Sequence, residues 1–177
     1  MNTEPEEWVI LDKLTDIILT HCKGCIVEIG MGTSTPMFVK HAKHFGVVLY
    51  SCDIDEEKLR IALRSARKIR HNVFHGTSID FMEQLDVNPA VVFIDGLHES
   101  HTVFKEVDFF LPRLLPGGVI FLHDTLPPCT LYKDPDYCGD VYKVRRHFEG
   151  SKDIQCFTFP YTAKNCGLTM LMKNNGY

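Results

Sequence analysis

Long apolar segments are missing from this chain of 177 residues. A helix that spans a bilayer needs about 20 consecutive apolar residues, and no stretch of the sequence approaches that length. Residues 1–7 carry acidic side chains where a secretory signal would have a basic region followed by an apolar one. We therefore expect a cytoplasmic protein with no membrane partner.

An excess of positive charge is missing as well, because the net charge is −4 at pH 7. This balance argues against a general nucleic-acid-binding surface. Arginine and lysine are concentrated at residues 60–70, but no aromatic residues for base stacking lie among them, so we interpret this face as solvated and expect no nucleic-acid partner.

A disulfide framework is also absent, since the seven cysteines are scattered and odd in number. That usage suits a reducing cytoplasm. Cys22 and Cys25 form an isolated CxxC pair, and a structural zinc site needs four ligands. We interpret the pair as part of a turn that contains thiols.

Linkers, internal repeats and low-complexity segments are absent too. A hydrophobic content of 45% and a charged content of 24% are ordinary values for a globular protein. The length suits one domain with a sizeable core, so we predict a single domain over residues 1–177.

Short apolar segments alternate with stretches of helical periodicity, which predicts an α/β fold. Strands are predicted at residues 26–29, 47–52, 72–75, 91–94 and 119–122. Helices are predicted at residues 8–19, 37–44, 56–70, 79–84, 102–115 and 141–148. Two last strands, 154–159 and 168–172, are expected to form an antiparallel pair at one edge of an otherwise parallel sheet.

A strand, a glycine turn and a helix start follow one another in residues 26–35, which read IVEIGMGTST. Gly30 and Gly32 allow a ligand to approach the backbone closely. The dinucleotide fingerprint GxGxxG would require a third glycine at Thr35, so that interpretation fails. Glu28 lies inside the apolar strand, where a carboxylate needs a partner, and a cationic or amino-bearing ligand would supply one.

Acidic residues follow three of the predicted strands. Asp53 comes about 20 residues after the glycine turn, where an acid commonly binds ribose hydroxyls, and Asp55 is expected to cap the next helix. Asp95 and Asp124 follow two strands joined by one helix, so both should lie at the carboxyl edge of the sheet. His98 lies three residues after Asp95 and titrates near neutral pH, so it is a candidate general base. The alternative is a loop histidine that contacts only solvent or cofactor.

The pattern ExGxGxS/T at Glu28 resembles the first motif of class I S-adenosylmethionine-dependent methyltransferases. A second segment, VVFIDGLH…LPRLLPGGVIFLHDT, is similar to the small-molecule O-methyltransferase branch related to macrocin O-methyltransferase and to cephalosporin hydroxylase-like proteins. More remotely it resembles catechol O-methyltransferase. The resemblance covers about residues 22–125 and implies a Rossmann-like, doubly wound sheet of seven strands with helices on both faces.

The resemblance also implies a binding site for S-adenosylmethionine. In the family, the acid of the first motif serves the glycine loop and the amino-acid end of the cofactor, and the loop after the third strand covers the adenine ring. The implied cofactor-binding residues are Glu28, Gly30, Met31, Gly32, Thr33, Ser34, Asp53, Ile54, Thr77, Ser78, Asp95 and His98.

Metal-dependent members of the family hold Mg²⁺ at positions that correspond to Asp95, His123 and Asp124. An imidazole suits Mg²⁺ poorly, so His123 indicates either Mg²⁺ on the two acids alone or a softer divalent metal. Alternatively, Asp124 caps a turn and His123 is an ordinary hydrogen-bonded residue.

The implied activity is O-methylation of a small hydroxylated molecule, with Asp95 and His98 as the catalytic residues. Residues 126–139 form a long loop after Asp124 that we predict to cover the substrate, and a second copy of the chain could also close the site. Two alternatives are a metal-dependent oxygenase on the same fold and a cofactor-binding module without catalysis.

Overall fold

The computed structural model describes residues 6–66, 69–159 and 166–174. The strands are β1 (Cys25–Ile29), β2 (Leu49–Asp53), β3 (His71–His75), β4 (Pro89–Ile94), β5 (Val119–Leu122), β6 (Ile154–Phe159) and β7 (Leu168–Lys173). The α-helices are α1 (Glu6–His21), α2 (Thr35–Phe45), α3 (Glu56–Ala66), α4 (Ser78–Glu83), α5 (Ser100–Phe110) and α6 (Tyr142–Glu149).

All seven strands form one sheet in the order β3-β2-β1-β4-β5-β7-β6. The first five strands are parallel, and β7 pairs antiparallel with β5 and with β6. The strand order reverses direction between β1 and β4, which is the switch point where open α/β sheets bind ligands. The Rossmann-like sheet and its antiparallel edge pair are confirmed.

Alternating strand residues supply two separate cores, one on each face of the sheet. On one face, Ile26, Phe93 and Phe121 pack with Leu11 of α1 and Phe38 of α2. All five side chains are fully buried. This alternation places Glu28 on the same face as Ile26, because side chains two residues apart on a strand share a face.

The opposite face is covered by later helices. Val27, Val92 and Ile120 pack there with Val107 of α5 and Val144 of α6. Because both faces are covered, the central strands are apolar on both sides, as their sequences predicted.

Several element boundaries differ from the sequence predictions, most of all at the carboxyl ends of two helices. The helix predicted at 102–115 is α-helical only to Phe110 and continues as a 3₁₀ turn at Leu111–Arg113. Pro112 explains this change, because it cannot donate the amide hydrogen bond that continues an α-helix. The helix predicted at 56–70 is described to Ala66, residues 67–68 lie outside the described residues, and residues 69–70 are not helical. Strand β2 begins at Leu49 rather than at Val47.

Among the described residues, no helix combines the length and the apolar character that crossing a membrane requires.

Candidate functional site

The glycine turn after β1 packs directly against the end of β4. Gly30 has φ +84°, and a Cβ at this position would overlap the backbone carbonyl of Asp95. The Asp95 N–H also donates to the Ile29 carbonyl at 2.8 Å. Only glycine fits this contact without strain.

Glu28 lies behind the turn and holds it together. Its side chain is fully buried and accepts hydrogen bonds from the hydroxyls of Ser34 (2.6 Å), Thr35 (3.0 Å) and Ser51 (2.8 Å). Burial raises the pKa of Glu28 to about 7, although the three hydroxyl donors oppose the rise. The sequence did not identify the partner of the Glu28 carboxylate. In the structure, its partners are three hydroxyl groups of the chain itself.

Asp53 at the end of β2 is tied to the same turn. Its carboxylate accepts a hydrogen bond from the Met31 backbone N–H at 2.8 Å, and the Lys58 ammonium lies 3.2 Å away. Asp55 caps α3 as expected, because its side chain accepts from the Glu57 N–H at 2.7 Å. The β2 tip and the glycine turn thus form one hydrogen-bonded unit.

A cavity of about 430 Å³ opens at the carboxyl edge of the sheet. Its lining includes Gly30, Asp53, Ile54, Thr77, Ser78 and Asp95. These are six of the predicted cofactor-binding residues. The volume lies within the range of about 300–1,000 Å³ that small-molecule sites usually have.

The other predicted cofactor-binding residues do not line this cavity. Glu28 and Ser34 are buried behind the turn, and the Met31 side chain is buried. Gly32 and Thr33 are exposed on the loop. His98 lines a second, more open depression against residues 133–140.

Two acids and two histidines meet beside the cavity. His98 Nε2 lies 3.2 Å from Asp124 Oδ2 and 3.8 Å from Asp95 Oδ1. His123 Nδ1 lies 3.0 Å from Asp95 Oδ1 and 3.3 Å from Asp124 Oδ2. The tips of β4 and β5 therefore bring all four side chains together, as their parallel pairing predicted.

The opposite charges in this cluster shift the pKa values of its members. Burial alone would raise the pKa of Asp95, but His123 and His98 lower it to about 2. The carboxylate of Asp95, followed by that of Asp124, raises the pKa of His98 above its usual value, although burial acts in the other direction. Burial would lower the pKa of His123, but the surrounding carboxylates, with Asp95 first, raise it well above 6.5.

The amino-terminal helix adds two residues that the sequence did not assign to the site. Trp8 of α1 stacks on the His123 ring, with ring centroids 5.2 Å apart and planes 12° apart. Glu7 Oε1 lies 3.7 Å from His123 Nε2. A tryptophan stacked on an imidazole leaves no sequence signature, because α1 lies more than 100 residues before His123.

A family model described as a methyltransferase domain matches residues 27–125, which is more than half of the chain. The chain belongs to this methyltransferase domain family. The matched region runs from β1 to the end of β5, so it contains the glycine turn and both acidic strand tips. The comparison with curated proteins found no match.

Solved structures of methyltransferases have the same fold as this methyltransferase domain. The SAH-bound methyltransferase PaMTH1 of Podospora anserina is 13% identical, with a TM-score of 0.71 over 94% of this chain and 79% of that one. An O-methyltransferase of Bacillus cereus in complex with SAH is 16% identical, with a TM-score of 0.71 over 98% and 83%. An rRNA methylase of Streptococcus thermophilus is 16% identical, with a TM-score of 0.68 over 98% of both chains.

The methyltransferase domain carries a set of side chains that fit a divalent metal, but the set differs from the predicted one. Ligand atoms of Asp95, His98 and Asp124 lie within 4.8 Å of one another. His98 joins Asp95 and Asp124 in this set, while the predicted ligand His123 lies beside the same two carboxylates with its ring stacked on Trp8. Two carboxylates and an imidazole suit a metal such as Mn, Fe or Zn better than Mg²⁺.

One buried acid of the domain was missed by sequence reasoning. Glu106 on α5 is fully buried, and neither carboxylate oxygen accepts a hydrogen bond from the described residues. Burial raises its pKa to about 7. The helical periodicity placed apolar residues on this face and gave no reason to examine Glu106.

Proposed function

We propose that this methyltransferase transfers a methyl group from S-adenosylmethionine to the hydroxyl of a small molecule. The observation that carries the proposal is the position of His98, whose Nε2 lies 3.2 Å from Asp124 beside a cavity that Gly30, Asp53 and Asp95 line. The family, and SAH in the relatives from Podospora anserina and Bacillus cereus, support the choice of cofactor. Within the methyltransferase family, we propose that the protein belongs to the branch related to macrocin O-methyltransferase.

The cavity wall suggests how the cofactor would be held. The Asp53 carboxylate has acceptor capacity for ribose hydroxyls beyond the bond from Met31, because a carboxylate offers about four lone-pair sites. Thr77 and Ser78 would border the adenine, and Gly30 would allow the cofactor chain to pass close to the backbone. The bound cofactor supplies a sulfonium methyl group, and the protein supplies position and charge.

His98 is suited to take the proton of the acceptor hydroxyl. As an oxygen attacks a methyl group, its hydroxyl proton must leave, and a neutral imidazole can accept it. The Asp95 and Asp124 carboxylates then stabilise the imidazolium that forms. Holding the acceptor in line with the methyl could lower the barrier by roughly 7–11 kcal/mol.

A divalent metal at Asp95, His98 and Asp124 would assist the same reaction, because a bound cation lowers the pKa of a coordinated hydroxyl. His98 cannot offer Nε2 to a metal and to a proton at the same time. Turnover that survives a chelator would assign His98 to proton transfer, whereas turnover restored by added Mn²⁺ or Mg²⁺ would assign it to the metal.

The loop at residues 126–139 would close the acceptor site. The Asp140 N–H, directly after this loop, donates to the His98 carbonyl at 3.2 Å, so the end of the loop lies against the proposed base. We propose that a small acceptor binds between His98 and this loop.

The substrate class can be tested with S-adenosylmethionine that carries a tritiated methyl group. The protein is incubated with this cofactor and either a small-molecule extract or total RNA. The proposal expects label in the small-molecule fraction, in a form that resists base as an ether does, and less label with His98→Ala. Label in RNA would contradict it, as would an absence of label from a protein that binds the cofactor.

A further inference from the structure

A second group of side chains that could ligate a metal shares Asp124 with the first. Ligand atoms of Asp124, Cys138 and Cys166 all lie within 4.8 Å of one another. The Cys138 side chain is 1% exposed and that of Cys166 is 9% exposed. The methyl-transfer proposal assigns no role to either thiol.

We propose that Asp124, Cys138 and Cys166 bind a zinc ion. Two sulfur ligands with one carboxylate favour a borderline-soft divalent cation, and zinc accepts sulfur, nitrogen and oxygen ligands in a tetrahedron. Three protein ligands leave the fourth position for water or another oxygen. The site differs in chemistry from the Asp95, His98 and Asp124 set, which contains no sulfur.

The backbone holds the three ligands in place from three separate segments. Asp124 follows β5 and has φ +56°, a left-handed conformation that aspartate adopts more readily than most residues. The Cys138 N–H donates to the Tyr132 carbonyl at 3.0 Å, which fixes this cysteine within its loop. The Cys166 carbonyl accepts from the Leu126 N–H at 2.6 Å.

Close packing at Gly167 keeps Cys166 beside the beginning of the same loop. Gly167 has φ +87°, and a Cβ there would lie 2.5 Å from the Leu126 Cβ. A residue with a side chain would therefore push the Cys166 segment away from Asp124. A zinc ion at this point would join β5, the 126–139 loop and the start of β7.

A cation explains this grouping better than a disulfide does. A zinc ion accounts for all three groups, because zinc accepts a carboxylate together with two thiolates, whereas a disulfide would leave the Asp124 carboxylate without a role. A metal deprotonates its cysteine ligands on binding, and its positive charge compensates the thiolates beside the Asp124 carboxylate. Binding of one zinc ion should therefore release two protons, one from each thiol.

The test measures zinc content, proton release and the electronic spectrum of the cobalt-substituted protein. The full chain is purified from zinc-supplemented medium and expected to hold at least one zinc per chain. Calorimetry of zinc binding to the metal-free protein, in two buffers of different ionisation enthalpy, should give two protons released. Replacement by Co²⁺ should produce a thiolate-to-cobalt charge-transfer band.

Variants identify the ligands. Cys138→Ser and Cys166→Ser should each abolish the cobalt band and lower the zinc content by one ion per chain. Cys129→Ser is the matched control, because Cys129 lies in the same loop and is exposed. The double variant Cys22→Ser/Cys25→Ser removes the CxxC pair of the sequence and should retain the ion.

Four results would overturn the proposal. The wild-type protein could lack both zinc and the cobalt band, which settles the matter even if the serine variants do not fold. The ion could be lost from the Cys22→Ser/Cys25→Ser protein. The thiolate-to-cobalt band could remain in the folded Cys138→Ser and Cys166→Ser proteins. Finally, denatured protein prepared without reductant could titrate five thiols instead of all seven, which would indicate a disulfide.

Discussion

The Glu28→Gln substitution keeps the shape of a fully buried side chain but removes its titratable proton. Glu28 accepts hydrogen bonds from Ser34, Thr35 and Ser51, and a glutamine can retain these contacts because a hydroxyl can also accept. Burial raises the pKa of Glu28 from 4.5 to about 7. The consequence is a specific dependence of wild-type stability on pH.

The sign of that dependence follows from proton linkage. Between pH 4.5 and about 7 the folded protein retains a proton at Glu28 that the unfolded chain has lost. The free energy of unfolding therefore decreases as pH rises through this window, and the stabilisation is fully present only below it. Each pKa unit corresponds to about 1.4 kcal/mol, so the full effect is about 3 kcal/mol, of which about 2 kcal/mol falls between pH 5 and pH 8.

Urea unfolding of the wild-type protein and of Glu28→Gln at pH 5, 6, 7 and 8 measures this effect directly. Other titrating groups, Glu106 among them, contribute equally to both proteins and cancel in the difference. The variant should gain about 2 kcal/mol relative to the wild type from pH 5 to pH 8. Glu83→Gln, at an exposed position, should give a constant difference. A constant difference for Glu28→Gln as well would refute a protonated Glu28 in the folded state.

Two further sets of substitutions test the glycine turn and the proposed general base separately. Gly30→Ala would place a Cβ against the Asp95 carbonyl at positive φ, so it should lower the melting temperature and abolish S-adenosylhomocysteine binding in calorimetry. Gly32→Ala, with nothing within 4 Å of the added Cβ, should leave the melting temperature unchanged. Equal melting temperatures for the two variants would contradict the packing described. His98→Ala should reduce turnover by about 10²–10⁴-fold at near-normal cofactor affinity, whereas the exposed neighbour His101→Ala should not. Wild-type turnover should rise with pH as His98 loses its proton, at a pKa above 6.5, and a rate that is independent of pH in both proteins would exclude His98 as the base.

The sheet could be predicted from the sequence because its signals are local. Each strand from β1 to β5 is a short apolar run that ends at a glycine, an acid or a polar turn. Because strands joined by a crossover helix are parallel, their carboxyl ends lie at the same edge of the sheet. The helix predicted through residue 115 was wrong beyond Phe110, since helical periodicity was given more weight than Pro112.

The site could be predicted only where its members lie at strand ends. Asp53 and Asp95 line the cavity because they follow parallel strands of one sheet. The partners of Glu28 and of His123 depend on contacts between distant segments. Ser51 approaches Glu28 across two paired strands, and Trp8 reaches His123 from the amino-terminal helix. Neither contact has a spacing rule that a single sequence reveals.

The central claim is that S-adenosylmethionine occupies the cavity at the tips of β1, β2 and β4. Calorimetric titration of the wild-type protein and of Asp53→Asn with S-adenosylhomocysteine, and of the wild type with NAD, tests that claim most directly. We expect saturable one-to-one binding of S-adenosylhomocysteine and no response to NAD. Asp53→Asn, which keeps an oxygen for the Met31 N–H, should weaken binding by about 10–100-fold, as expected for the loss of hydrogen bonds to a charged group. Tight NAD binding without a response to S-adenosylhomocysteine, or an unchanged dissociation constant for Asp53→Asn, would contradict the account.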